Sequence, residues 1–593
     1  MKVALTFLLA TLAAVVSAEH LGNPADEYKS ENGLLEVTLT VGMVESLNGT
    51  RVAPGYNGKP MGPTLRVSPG DTLRVTLVNG LETTATDRQL YEYVMDEESD
   101  YVNKTIVYNR LSAIGNVYSP EYGFWGLGYS NLHFHGLENP PHKEELLTYV
   151  GQDETKVYEV KIPDDQEPGL FWYHNHVHGA TVYAYLSSLM GAIIIEGTDS
   201  DITKAPGIEN ATEVVMLFSE YLQSPEGNFP MPIFPIVMSF GWETITNGYL
   251  AAETNYEFTE GETVLFRTIS ANVDPDHNFV VPGMTFYIVA VDGLPLPEPI
   301  PTDVVKIPSG GRVEFIGRFE QAGTYNMTRE AWGSHIIPNA EACQAAFGIP
   351  AYPCISHDVD KPIGTITVAP ASEPLDALPP LADSIELPEY SDRLKCLGER
   401  PIAANKNVTF EQKQGWPLFQ IEYDGDFVPP GVAFGVDGAL GTPNRVSGTI
   451  MADSCEEWHV EFVPPIGHPF HSHAGKFYLL AEGGVAVEDV VWRDTYSTFA
   501  PSIDVKICWD RVGVEDVVMV HCHAATHLDT GMLTNMNVSS NPDGDTCGVP
   551  SSTATGDDSV PSNPETSNSF RNDIVSVAAG ILVATSFALM TSI

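Results

Sequence analysis

The chain has 593 residues, room for three or four domains at the usual domain size, and its 43% hydrophobic content is ordinary for a protein with a full core. Asp and Glu number 78 against 30 Lys and Arg, a formal net charge of −48. That imbalance excludes a general binder of nucleic acid or anionic surfaces, whose phosphates need a positive face, and it is compatible with attracting cations.

In chain order the first element is an address. Met1 and Lys2 precede an apolar run over residues 3–16, and Val16-Ser17-Ala18 places small residues before Glu19. Such a run is too short to span a bilayer and reads as a secretory signal peptide over 1–18. Strand signals follow, and long helical periodicity is scarce. Residues 65–79 alternate apolar and polar on both sides of Pro69-Gly70, as two strands broken by a turn do. Residues 256–270 repeat the pattern around Gly261, and residues 450–462 repeat it more weakly. A period of about two hundred residues predicts three related domains. Their later halves repeat too: residues 168–174 lead to 191–195, residues 322–325 lead to 364–368, and the third copy runs through 518–521. Boundaries are expected near 200 and 372, the second in a Pro-rich stretch, which gives domains over 19–200, 201–372 and 373–545. Short repeated strands with turn signals predict an all-β chain of β-sandwiches.

Four His-X-His elements punctuate this pattern: His133-Phe-His135, His174-Asn-His176, His471-Ser-His473 and His521-Cys522-His523. On a strand each places two imidazoles on one face. At the last element Cys522 must then point the opposite way from His521 and His523. His468 lies three residues before His471, an odd offset, so an extended chain turns it to the face that Cys522 occupies. His527 and Met532 follow once the strand has ended. Two His, one Cys and a weak, distant Met are the ligand set of a blue-copper electron-transfer centre. The eight remaining histidines can hold three metals on the other face. One copper site backed against a metal cluster, joined by one or two peptide units, is an electron wire.

With all four motifs in order, the chain resembles the multicopper oxidase family, the laccase, ferroxidase and bilirubin-oxidase-like enzymes, over roughly residues 30–540. The resemblance implies three cupredoxin-like Greek-key sandwiches and four copper ions. It implies a type 1 copper on His468, Cys522, His527 and Met532, and a type 2 copper on His133 and His471. One type 3 copper falls to His135, His174 and His523, the other to His176, His473 and His521. His521, Cys522 and His523 are the catalytic electron path. The middle domain, with Asn326-Met-Thr-Arg where the other copies carry histidines, is expected to bind no copper and to space its neighbours. The implied partners are O2 and a small reducing substrate. A one-electron donor, a metal ion such as Fe(II) or a phenolic compound, would be oxidised while O2 takes four electrons to become water. A methionine as axial ligand favours electron-rich donors. The rival reading is a non-catalytic copper-binding surface protein of the same fold, though such relatives usually lose ligands and none is lost here.

Proton delivery departs from the family pattern. Ala524, Ala525, Thr526 and Leu528 stand where relatives often carry an acid, and Asp529 is the first carboxylate. Glu138, Glu144 and Glu145 after His135 could serve instead, and His178 reads as a structural neighbour of the cluster. Setting Cys522 aside leaves Cys343, Cys354, Cys396, Cys455, Cys508 and Cys547, an even number that permits three disulfides; only Cys343 and Cys354 are close enough in sequence to suggest a local loop. Six glycosylation sequons, at Asn48, Asn103, Asn210, Asn326, Asn407 and Asn537, suit a secreted glycoprotein. Residues 546–573 form a Ser/Thr/Pro-rich stalk, and 574–593 are apolar or small with no basic residue after them. That tail is expected to be a GPI-attachment signal, or else a transmembrane anchor, placing the protein at the cell surface or outside the cell.

Overall fold

The computed structural model describes residues 26–46, 51–82, 128–178, 180–222, 242–273, 276–330, 360–373, 379–414, 432–436, 446–463, 467–488, 490–514, 516–529 and 531–541, the short strands Glu422–Tyr423 and Asp426–Phe427, and Cys547. The signal peptide, Asn48, Asn103, Cys343, Cys354, the stalk apart from Cys547, and the tail lie outside the described residues. Among the described residues no helix is long and apolar enough to cross a membrane.

Three pairs of sheets succeed one another along the chain. The first couples a four-stranded sheet, Arg51–Tyr56, Leu34–Ser46, Thr72–Asn79 and Thr155–Lys161, to a five-stranded sheet running Glu27–Lys29, Thr64–Val67, Met190–Ile195, Gly169–His174 and His133–His135. Inward residues of both sheets, among them Leu39, Leu73, Phe134 and Ile193, share one core. The second sandwich has seven and five strands around an aromatic core of Phe266, Phe279, Phe286 and Phe315. The third has six and five strands around Phe410, Trp458, Phe470 and Ile503.

The repeat is topological as well as sequential. Leu34–Ser46 lies parallel to Thr72–Asn79, Thr212–Leu222 to Thr263–Ser270, and Ile402–Gln414 to Ser454–Val463. Each of the three alternating segments splits into two strands that lie in opposite sheets, so its turn crosses from one layer to the other and forms no hairpin. Gly70 and Gly261 take φ +86 at these crossings, and Asp453 takes φ +49 in the third, a left-handed state in which Gly is free and Asp tolerated.

Cys455 and Cys508 are cross-strand partners joined by a disulfide, and Cys396, on helix Asp392–Glu399, is joined to Cys547. Cys522 is left free and buried. Asn210, Asn326, Asn407 and Asn537 are all exposed. Phe315 stacks on Phe266 at 5.1 Å and meets Phe286 edge-on at 5.1 Å. Phe315→Ala should therefore cost the middle domain about 3–5 kcal/mol, read as a lowered denaturation midpoint.

Candidate metal centre

Two short antiparallel ladders build the site. In the first domain His133–His135 pairs with Gly169–His174, which sets His133 opposite His174. In the third domain Phe470–Ser472 pairs with Val517–Cys522, which sets His471 opposite His521 and Phe470 opposite Cys522. Of the four pairs only His133 with His135 has both members within a strand; His174, His471 and His521 lie in strands, and their partners His176, His473 and His523 sit just past the strand ends. The two ladders meet at the boundary between the first and third domains. His133 stacks on His473 and His135 on His471, each with ring centroids 4.0 Å apart.

The structure gathers these residues into groups whose ligand atoms lie within 4.8 Å of one another: His133, His135 and His471; His135, His174 and His523; and His176, His473 and His521. On the other face of the last strand, Cys522 Sγ is 3.4 Å from His527 Nδ1 and 3.8 Å from His468 Nδ1, and those two nitrogens are 3.0 Å apart. Met532 is fully buried in the same core as Cys522 and ties the loop by its backbone, its carbonyl accepting from Cys522 N–H at 3.0 Å.

Four of the rings have Nδ1 committed. The Nδ1 of His133 faces Glu144 Oε2 at 2.6 Å, that of His174 faces Asn175 O at 3.0 Å, that of His471 faces Asp494 O at 2.8 Å, and that of His521 faces Cys522 O at 2.9 Å. An acceptor at Nδ1 assigns the proton there and leaves Nε2 a lone pair. In His133, His174 and His471 that Nε2 is buried with no hydrogen-bond partner. The Nε2 atoms of His473 and His176 instead meet that of His521 at 3.0 and 3.4 Å. Burial first, and then the neighbouring histidines, push His174, His176, His471, His473 and His523 well below the usual histidine range, and burial brings His521 to about 3. Neutral imidazoles with converging lone pairs, and a thiol beside two more, fit soft and borderline metals.

Comparison with known proteins points to one family. A sequence model of the multicopper oxidase family matches residues 415–542, and a second model of that family matches residues 222–352. The chain is 22% identical over 563 residues to a laccase of Pycnoporus cinnabarinus, covering 89% of this chain and 92% of that one. A laccase of Trametes hirsuta is 24% identical over 403 residues, with 63% and 71% covered. Among solved structures, a multicopper oxidase of Campylobacter jejuni described as a metallo-oxidase superposes with a TM-score of 0.63 at 17% identity, covering 88% and 94%. The McoA multicopper oxidase of Aquifex aeolicus gives 0.61 at 17% identity, covering 88% and 100%. The chain belongs to the multicopper oxidase family. It is a copper oxidoreductase that uses O2, and its three sandwiches are cupredoxin-like.

In this multicopper oxidase the acids expected near the cluster part company. Glu144 alone among them touches a cluster histidine, and Asn139 Nδ2 steadies its other oxygen at 3.0 Å. Glu138 is spent on Arg393 at 2.7 Å and Arg511 at 3.0 Å, and Glu145 pairs with Lys156 at the surface. Asp529 is buried and accepts the Val182 amide at 2.9 Å, tying helix Ala525–Asp529 to helix Thr181–Leu186. His178 lies 5.3 Å from His176 by ring centroid and belongs to none of the ligand groups. A cavity of about 240 Å³ reaches His133 and His473 between Glu144, His142, Leu147 and Met519.

Sequence reasoning missed Asp494. Its Oδ1 lies 3.2 Å from His135 Nε2, and Arg312 grips both carboxylate oxygens at 2.6 and 2.7 Å. Burial pushes this carboxyl up, but the Arg312 and Lys476 charges outweigh burial and hold it well below the usual range. Nothing local in Arg493-Asp494-Thr495 marks the residue as buried.

The histidine shifts set an acid limit on the copper-free protein. His521 and His178 titrate near 6.5 when exposed and near 3 here, so in that interval only the unfolded chain binds their protons. Stability is full above about pH 6.5 and falls as pH drops towards 3. Denaturation midpoints of copper-free protein should begin to fall near pH 6.5, above the carboxylate range; a flat profile down to about pH 5 contradicts the assignment.

Proposed function

We propose that this protein is a secreted four-copper oxidase in which Cys522 marks the entry of single electrons and the histidine cluster marks their delivery to O2. The observation that carries the reading is the opposite facing of Cys522 and its neighbours. The sulfur meets His468 and His527, while His521 and His523 each join a separate group of cluster histidines. Copper bound at these positions would supply one electron per ion, so that the thiolate site and the three cluster sites together would provide the four electrons that O2 takes. We assign His468, Cys522, His527 and Met532 to the type 1 site and His133 and His471 to the type 2 site. His135, His174 and His523, with His176, His473 and His521, take the type 3 pair. The chain itself holds the imidazoles neutral, fixes their tautomers through Glu144, Asp494 and backbone carbonyls, and excludes water from the thiolate. Cys522→Ser should abolish both the blue colour and oxygen uptake while the histidine cluster still binds copper. A colourless, copper-replete wild type would sink the reading.

For the electron donor we favour a metal ion such as Fe(II) over a phenol. The net charge of −48 draws cations to the surface, and the Campylobacter jejuni neighbour is described as a metallo-oxidase. The fungal relatives are laccases, which supports phenols as the competing class. Asp529, committed to Val182, offers a cation little. Steady-state rates with Fe(II), Cu(I), Mn(II) and a phenol panel decide the matter. The metal reading is lost if phenols lead by more than about tenfold in kcat/KM, a difference of 1.4 kcal/mol.

We further propose a cell-surface location, with the signal peptide removed after Ala18 and a GPI anchor replacing residues 574–593. Phosphatidylinositol-specific phospholipase should release active enzyme from cells, whereas a transmembrane helix would leave it in the detergent phase.

A further inference from the structure

Among the described residues the middle domain contributes nothing to the ligand groups. We propose that it nevertheless positions the cluster histidines, through Gly310 and Arg312 at the head of strand Arg312–Arg318; this rests on the copper-oxidase reading above.

Gly310 is the seat of His523. A Cβ at this position would lie 2.3 Å from His523 Cγ and 2.5 Å from both Cδ2 and Nδ1. Only a residue without a side chain lets the backbone lie against the imidazole. The seat is itself fastened: Gly310 N–H donates to Ser270 O at 2.7 Å, and Ser270 N–H donates to Gly311 O at 3.1 Å. The Ser309 hydroxyl lies 2.6 Å from Asn272 O and 3.2 Å from His523 O. Two residues further on, Ala525 N–H donates to Val273 O at 2.7 Å. The middle domain thus holds the chain at His523 by its ring, its carbonyl and the amide that follows.

Arg312 fixes the opposite side of the cluster. Fully buried, it holds Asp494 with two parallel hydrogen bonds and donates to Leu170 O at 3.3 Å and Asp292 O at 3.0 Å. Asp494 in turn faces His135 Nε2 through its carboxylate and His471 Nδ1 through its carbonyl. Gly136, directly after His135, closes the contact, since a Cβ there would meet Arg312 Nη2 at 2.4 Å. A guanidinium from the second domain therefore orients histidines of the first and third. Arg312 and Gly310 are positioning residues, because neither touches a reacting atom.

The test compares Gly310→Ala with Gly283→Ala in copper-loaded, full-length protein. Both glycines have φ +84, but nothing lies within 4 Å of a Cβ at Gly283. The two variants share the backbone strain and differ in whether an imidazole must move. Gly310→Ala should keep the blue absorption of the Cys522 copper, lose copper from the histidine cluster by elemental analysis, and fall about 10–100-fold in kcat with KM for the electron donor unchanged. Gly283→Ala should retain all three. Arg312→Lys keeps the charge without the forked geometry and should fall between wild type and Arg312→Gln in cluster copper. Equal cluster copper in the two alanine variants overturns the proposal, as does loss of the blue absorption together with the cluster copper. A copper-replete wild type without blue absorption would overturn the underlying reading instead.

Discussion

A β-strand turns successive side chains to opposite faces, and at Cys522 that alternation decides where the other ligands must be. The sulfur faces the third-domain core, so its partners come from the same domain, His468 from a loop and His527 from helix Ala525–Asp529. His521 and His523 face outward from that core. They meet His473 and His471 of their own domain and His176 and His135 of the first. The cluster can therefore exist only where the first and third domains are held together, and the interface is as much a part of the site as any ligand.

Such an interface carries an energetic burden that its composition answers. Eight buried imidazoles are tolerable because acids and backbone carbonyls hold several of their ring nitrogens, and several lone pairs are left for a metal. In one network beside them, two buried carboxylates, Asp292 and Asp494, meet two buried cations, Arg312 and Lys476. The charges balance, and the carboxylates also accept backbone amides: Asp292 Oδ2 takes those of Asp494 and Thr495 at 3.0 and 2.9 Å. Removing any one member would strand an opposite charge, at a cost of about 3–5 kcal/mol. The network so placed is a source of rigidity at the clustered histidines.

Among the described residues the middle domain shows the same framework without a ligand group. Its strands His277–Val280 and Gly323–Arg329 occupy the sheet positions that carry the His-X-His elements in the other two sandwiches. His277 is the lone imidazole left there and stacks flat on Phe218 at 3.9 Å. Arg329 stands at the strand end and pairs with Glu220 at 2.9 Å. One imidazole beside a guanidinium gives no set of converging lone pairs.

Much of this was legible in the sequence, for a physical reason. Strand alternation has a fixed period of two, so the facing of His521, Cys522 and His523, and the odd offset of His468, could be read without coordinates. The three-fold repeat was equally plain, because each copy keeps its alternating pair of strands and its turn. Residue order could not say that those paired strands lie in opposite sheets, since alternation is the same for a hairpin and for a crossing between layers. Nor could it find Asp494, Arg312 or Gly310, which reach His135 and His523 from more than a hundred residues away through contacts that exist only once three domains have docked. Asp529 shows the converse: near His527 in sequence, it is turned by helix Ala525–Asp529 towards the Val182 amide. The sequence by itself determined which side chains can bind metal and which face each one takes. Only the tertiary structure decided which of them meet, because domain docking, not local period, sets distances across an interface.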